Sequence, residues 1–266
     1  MAKSKAFDFQ ACAARMVQHL GAKPEDSRGG LLIDTVAGPM SVHAYENWVA
    51  CRFHDVERAK KVSPPGSLNP YSGKWNWHGN SPSVESLKGF LSHLCSVVPA
   101  SAELEEIVRP YDLAARQCKS SSDLSVRLSY QYRDGSNYKA RRDVVLSGAP
   151  RYAVQIAKVL RGLDESESCP SLIPGLVGLP DLQDSFSGCS SRWDPDEDHP
   201  WHELLSVELI EDYQGEPDGD FGEFADQVFQ AAFVHGWDES YRPDSYPEMA
   251  ARQEAYERTM REQEGA

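Results

Sequence analysis

The chain has 266 residues and a formal charge of −14; 40% of its residues are hydrophobic and 26% are charged. This composition is that of a globular protein with a packed core, and it argues against global disorder. No apolar run reaches the ~18 residues that a membrane-spanning helix needs, and no signal-cleavage pattern opens the sequence, so we expect a cytoplasmic protein.

The first part of the chain has the pattern of a helix, a strand meander and two further helices. Apolar residues at helical spacing predict a helix over 7–20 that stops at Gly21. Three strand-like runs predict an antiparallel meander, over 31–36, 40–45 and 48–53, with turns at Gly38-Pro39 and Glu46-Asn47. A loop rich in Pro, Gly and Ser follows, with a short strand over 74–78, and then helices over 84–97 and 102–118.

The second part begins with a hairpin. Alternating apolar residues predict strands over 125–132 and 138–146, joined by the preferred turn pair Asp134-Gly135. After it come a helix over 150–163, a loop-like stretch over 164–200, a short segment over 203–210, an acidic turn, and helices over 223–235 and 246–264.

These elements predict an α+β fold. Antiparallel strands, a meander plus a hairpin, pack with helices, and an acidic helical C-terminal region follows. We expect three consecutive blocks: a helix–meander–helix block over 1–118, a hairpin–helix block with an acidic loop over 119–210, and the acidic helical region over 211–266.

The charge is distributed unevenly along the chain. Residues 1–162 hold 22 Lys and Arg against 15 Asp and Glu, whereas residues 163–266 hold 5 Arg, no Lys and 26 Asp and Glu. Such asymmetry indicates interaction with a partner more than it indicates a fold. The plainer reading, that acidic faces keep the protein soluble, stays open.

The densest polar cluster is SSRWDPDEDHPWHEL, where tryptophans stand beside carboxylates. Aromatic anchors next to charge are typical of protein-binding surfaces. We therefore predict no catalytic residues and a partner-binding set drawn from this loop and the acidic turn: Trp193, Asp194, Asp196, Glu197, Asp198, Trp201, Asp218, Asp220, Glu223 and Trp237.

Other chemistry has weaker support. His199 and His202 with nearby carboxylates could bind a divalent metal, but the pattern is not HExxH and Pro200 separates the histidines. Cys51 near His54 has the residue types of a thiol–imidazole pair. Six cysteines without a CxxC pair favour free thiols, and neither GxxxxGK[ST] nor GxGxxG occurs, so no metal or cofactor is expected.

Two clusters leave nucleic-acid binding open. NPYSGKWNWHG could stack bases on Trp75 and Trp77, although the same tryptophans could fill a core. Basic residues at the hairpin end could contact phosphates, or could pair with the chain's own acidic loop: Arg133, Lys139, Arg141 and Arg142.

Four stretches together resemble accessory proteins of bacterial integrative and conjugative elements and plasmids. They are ENWVACRFHDVERAKK, LNPYSGKWNWH, LSYQYRDGSNYK and DEDHPWHEL, spread over residues 30–210. Such proteins commonly serve transfer, maintenance or evasion of host defence. The resemblance thus implies an anti-CRISPR protein directed at a type I surveillance complex.

The sequence as a whole predicts a non-enzymatic inhibitor, monomeric or homodimeric. Its expected partners are basic subunits of a host CRISPR-Cas complex or of another nucleic-acid-binding complex, because those hold their nucleic acid in positively charged channels. The alternatives are a nucleic-acid-binding accessory protein of conjugation or plasmid maintenance, and a metal-dependent hydrolase.

Overall fold

The protein has an α+β fold, as predicted. A computed structural model describes residues 7–25, 30–62, 74–78, 82–118, 123–165, 169–183 and 198–243. The contacts divide the chain into two compact units, each assembled from separated segments. Unit 1 comprises residues 1–105, 154–164 and 229–236; unit 2 comprises residues 106–153, 165–228 and 237–266. This division differs from the three consecutive blocks expected over 1–118, 119–210 and 211–266.

Unit 1 contains a five-stranded antiparallel sheet whose strands follow one another in chain order. The strands are β1 (Lys23–Pro24), β2 (Leu31–Thr35), β3 (Gly38–Ala44), β4 (Trp48–Phe53) and β5 (Lys74–His78). The predicted meander and the short fourth strand are therefore confirmed. Apolar side chains from successive strands share the face that is buried, among them Ile33, Met40, Val42, Cys51 and Trp75.

Among the described residues, four α-helices complete unit 1, and the first of them packs against β2 and β3. They are α1 (Phe9–His19), α2 (Val56–Val62), α3 (Val84–Val97) and most of α5 (Ala153–Leu160). The Asp8 carboxylate caps α1 by accepting a hydrogen bond from the Ala11 N–H at 2.9 Å. The short helix α2 was not predicted, because seven residues carry too little periodicity. Helix α5 is shorter than the predicted 150–163.

The first hairpin turns two positions earlier than predicted. Val36 and Ala37 form the turn, and Gly38 already pairs with Thr35 as the first residue of β3. Gly38 has φ +91°, the left-handed conformation that closes such a hairpin. The Thr35 hydroxyl stabilises the turn, since it donates to the Gly38 carbonyl and accepts from the Ala37 N–H.

Unit 2 is built around a second five-stranded sheet with the order β10, β7, β6, β9, β8. The strands are β6 (Leu124–Arg133), β7 (Lys139–Ser147), β8 (Ser171–Leu172), β9 (His202–Glu211) and β10 (Gly219–Asp220). The predicted hairpin is β6–β7, and β6 lies at the centre because it also pairs with β9. Its alternating residues are buried as expected, with exposed fractions of 0–1%: Val126, Leu128, Tyr130 and Tyr132.

The acidic part of unit 2 contributes strands as well as a helix. The segment predicted over 203–210 is the long strand β9, and the acidic turn contains β10, which pairs with β7 in parallel. Helix α6 (Phe221–Phe229) follows and continues into a π-helical turn, Gln230–His235, which confirms the helix predicted over 223–235. The helix predicted over 246–264 lies outside the described residues.

Two elements remain. Helix α4 (Ala102–Gln117) contains Pro110 without interruption, and most of it belongs to unit 2. There the Tyr111 hydroxyl donates to the Pro150 carbonyl. A 3-10 turn covers Pro174–Val177. Within the described ranges, none of the helices combines the length and the apolarity that crossing a bilayer requires.

Replacing Gly38 by alanine is expected to lower the free energy of unfolding by about 1 kcal/mol, because an L-residue resists φ near +90°. No atom lies within 4 Å of the added Cβ, so the cost is one of backbone conformation alone. Urea denaturation measures it, with Val36→Ala in the same turn as the control. Equal midpoints for the two variants would contradict this account of the turn.

Candidate partner-binding surface

Eight exposed carboxylates lie between residues 208 and 226 of unit 2, a segment that contains no Lys or Arg. They come from the end of β9, the loop after it, β10 and the start of α6. We call this set the acidic surface: Glu208, Glu211, Asp212, Glu216, Asp218, Asp220, Glu223 and Asp226.

Four members of the acidic surface take part in interactions within the chain: Glu208, Asp218, Asp220 and Asp226. Glu208 lies 3.2 Å from the Arg127 guanidinium on the neighbouring strand. Asp218 accepts a hydrogen bond from the Val145 N–H at 2.8 Å and lies 3.9 Å from the Arg142 guanidinium. These contacts attach the acidic loop to the edge of the sheet.

Asp220 caps helix α6. Its Oδ1 accepts hydrogen bonds from the N–H groups of Gly222 at 2.8 Å and Glu223 at 3.1 Å. A carboxylate at this position also interacts favourably with the helix dipole. Asp218 and Asp220, both predicted as partner-binding residues, therefore also hold the local structure together.

Four members of the acidic surface are exposed and their carboxylates make no hydrogen bond or ion pair within the described part of the chain. They are Glu211, Asp212, Glu216 and Glu223. Only Glu223 belongs to the predicted set. Asp212 has φ +51°, so the chain bends sharply there as it leaves β9. The geometry thus presents negative charge on a loop whose ends are both fixed.

Two of the three tryptophans in the predicted partner-binding set lie next to each other. Trp201, just before β9, and Trp237 have ring centroids 5.6 Å apart, and both rings are partly exposed. Asp198 accepts a hydrogen bond from the buried Tyr132 hydroxyl at 3.0 Å. The rest of the predicted loop set lies outside the described residues: Trp193, Asp194, Asp196 and Glu197.

A buried histidine–tyrosine cluster in unit 2 was not anticipated. His202 is fully buried beside Tyr130 and Tyr132, with ring centroids 5.9 and 5.2 Å away. Its Nε2 accepts from the Leu182 N–H at 3.1 Å, so its Nδ1–H donates to the Pro200 carbonyl. Burial lowers the pKa of His202 to about 3, which keeps the imidazole neutral.

These contacts bear on the metal alternative. Both ring nitrogens of His202 are engaged by backbone groups, so neither is available as a ligand. In the described ranges no group of three or more His, Cys, Asp or Glu side chains is placed to bind a metal ion.

The thiol–imidazole pair does not form. Cys51 is buried at 1% exposure on the core face of the unit 1 sheet, and burial raises the pKa of its thiol. His54 instead lies 2.8 Å from the Ser41 hydroxyl through its Nε2, and Ser41 also bonds Glu25 at 3.0 Å. The carboxylate therefore contacts the serine and not the imidazole, unlike the arrangement that activates a serine nucleophile.

The basic hairpin end is partly neutralised by the chain itself. Arg133 lies 3.4 Å from the Glu203 carboxylate, and Arg142 lies near Asp218 as described above. Arg141 donates to the Gln131 side chain. Trp75, from the aromatic cluster, is 5% exposed and stacks on His93, as expected of a core residue.

No family model, curated protein or solved structure matches this chain. Its function therefore has to be inferred from its own residues.

Acid is expected to destabilise unit 2 through His202. The unfolded imidazole takes up a proton near pH 6.5 and the folded one only near pH 3, so stability is lost as pH falls between these values. The loss for one such group is up to roughly 5 kcal/mol at the acid end.

The variant His202→Leu tests this by urea denaturation across that pH range. It should be less stable than the wild type at neutral pH by about 1–3 kcal/mol, because the Leu182 N–H loses its acceptor. Its free energy of unfolding should also change less with pH, because up to one proton fewer is taken up on unfolding. The same slope in both proteins would show that His202 does not titrate as described.

Proposed function

We propose that this protein is a non-enzymatic inhibitor that binds a basic, nucleic-acid-binding complex of a host defence system. The observation that supports the proposal is the acidic surface, four of whose carboxylates are exposed and unpaired within the described residues: Glu211, Asp212, Glu216 and Glu223. Like charges held together in this way cost repulsion energy, which a cationic partner would relieve.

The mechanism follows from where such complexes hold their nucleic acid. Guide and target lie in positively charged channels. An acidic protein surface is attracted to the same channel, so the inhibitor competes with nucleic acid for it. Charge complementarity raises the association rate and selects the partner, while apolar contacts slow dissociation.

The partly exposed pair of Trp201 and Trp237 supplies such apolar contact in unit 2. Aromatic side chains carry a large share of the binding energy at protein interfaces. Asp238 and Glu239 directly follow Trp237 and are exposed, so the tryptophan pair has an acidic border as well.

The partner class, a type I CRISPR surveillance complex, rests on the resemblance of the four sequence stretches. Two observations favour protein binding over nucleic-acid binding by the hairpin end. Arg133 and Arg142 are paired with carboxylates of the same chain, and Trp75 is buried in the core of unit 1. Neither arginine is then fully available to a phosphate.

The proposal is tested by neutralising the four unpaired carboxylates together, as Glu211→Gln, Asp212→Asn, Glu216→Gln and Glu223→Gln. Binding to a purified type I surveillance complex should weaken by about 100-fold or more, since four charge contacts are lost. The wild type's affinity should also fall as salt rises, and the variant's much less. Surface plasmon resonance measures both.

The matched control removes four exposed carboxylates elsewhere, as Asp34→Asn, Glu46→Gln, Glu103→Gln and Glu105→Gln. Its net charge equals that of the test variant, so its affinity should stay close to that of the wild type. Equal weakening in both variants would indicate a net-charge effect only. No binding of the wild type to the complex would refute this choice of partner.

A further inference from the structure

An open cavity of about 490 Å³ lies against the acidic surface, within unit 2. Three parts of the chain form its walls. They are the start of β6, the end of β7 with the turn after it, and the loop between β9 and β10. This volume is in the range of sites that accept a small molecule or a large side chain.

Glycines shape the cavity wall. Gly148 has φ +71°, and a Cβ there would lie 2.9 Å from the Asp220 carboxylate. A Cβ on Gly215 would lie 2.4 Å from the Tyr213 hydroxyl oxygen. The Tyr213 side chain therefore rests on the backbone of its own loop, and Asp220 reaches the turn after β7.

Three polar side chains that line the cavity have no partner in the described part of the chain. The Asp123 carboxylate and the Arg151 guanidinium are exposed and form no ion pair there. Ser125 is only 6% exposed, yet its hydroxyl makes no hydrogen bond with the described residues. The Ser125 hydroxyl oxygen is open to the cavity, so water or the donor group of a ligand can hydrogen-bond to it there.

The charge around the cavity favours a cationic ligand. Arg151 is the single cation among the lining residues, whereas Asp123 lines the cavity and Asp212 and Glu216 flank two of its wall residues in sequence. The Asp220 carboxylate lies against Gly148, which is part of the cavity wall. The carboxylates of Asp123 and Asp220 thus outnumber the single guanidinium at the cavity, which favours a negative local potential.

We propose that this cavity is the anchor site for an arginine side chain of the basic partner, an inference that rests on the proposed function. A guanidinium group presents planar donors that suit the Asp123 carboxylate and the Ser125 hydroxyl. Its flat face can stack on the Tyr213 ring. Tyr152, next to Arg151 and 64% exposed, provides an aromatic contact surface beside the site.

Removing Arg151 distinguishes two kinds of ligand, because the expected change in binding affinity has the opposite sign for each. A cationic anchor is repelled by Arg151, so its removal should strengthen binding. A zwitterionic ligand such as a free amino acid would instead use Asp123 for its ammonium group and Arg151 for its carboxylate. For that ligand, removal of Arg151 should abolish binding.

The experiment uses the full chain and a capped peptide of alternating glycine and arginine, with binding measured by isothermal titration calorimetry. A peptide with citrulline in place of arginine is the matched probe, because citrulline keeps the shape and removes the charge. We expect the wild type to bind the citrulline peptide at least tenfold more weakly than the arginine peptide. For the arginine peptide, Asp123→Asn should lower the affinity about tenfold, and Arg151→Gln should raise it several-fold. Glu103→Gln, on the exposed side of α4, is the control and should change nothing.

Two results would overturn the anchor site: unchanged affinity in Asp123→Asn, or loss of binding in Arg151→Gln. Binding of free glycine to the wild type but not to Arg151→Gln would assign the cavity to a zwitterion.

Other results separate the anchor site from the proposed function. If neutralising the four unpaired carboxylates weakens binding of the arginine peptide but Asp123→Asn does not, the proposed function stands and the anchor site fails. If the wild type binds neither peptide, both fail. Circular dichroism confirms that each variant is folded.

Discussion

The attachment of the acidic loop to the edge strand β7 is the contact on which the candidate surface depends. Gly219 and Asp220 pair in parallel with the end of β7, and the Asp218 carboxylate accepts the Val145 N–H. A two-residue strand contributes little pairing by itself, so the Asp218 hydrogen bond and the Asp220 helix cap supply much of the local order. Because the same loop carries Asp212, Tyr213 and Glu216, this attachment determines where the unpaired charge and the cavity wall lie.

The acidic residues of unit 2 therefore divide into two groups with different physical roles. Glu208 and Asp218 lie close to arginines of β6 and β7, and such exposed pairs contribute about 0–1 kcal/mol each, so they orient the loop more than they stabilise the fold. The unpaired carboxylates have no such role, and placing them together slightly destabilises the unit. Exposed like charges retained at a cost to stability are typical of surfaces selected for association.

Periodicity predicted most of the fold because its signal is local. The alternation of Val126, Leu128, Tyr130 and Tyr132 fixed β6, and the helix α3 has the predicted bounds of 84–97. Pairings distant in sequence were missed: β10 has two residues and depends on a strand some seventy positions away. The same applies to the site. Net charge indicated the acidic surface, but only the structure separates Asp220, which caps a helix, from Glu211, whose carboxylate has no partner among the described residues. The sequence left His202 open as a metal ligand, and in the structure it is a buried, neutral core residue.

Arg151 has the greatest bearing on specificity. A purely negative cavity would accept any lysine, arginine or inorganic cation that diffuses to it. In the proposed anchor site, the Arg151 guanidinium on the same wall would repel all of them, and a ligand would overcome this repulsion only by also contacting the surrounding carboxylates and aromatic rings. Arg151 would therefore lower affinity and favour an extended basic segment over a single charge. Asp123 and Arg151 form no ion pair within the described part of the chain, and because both side chains are exposed, water compensates each charge until a partner displaces it.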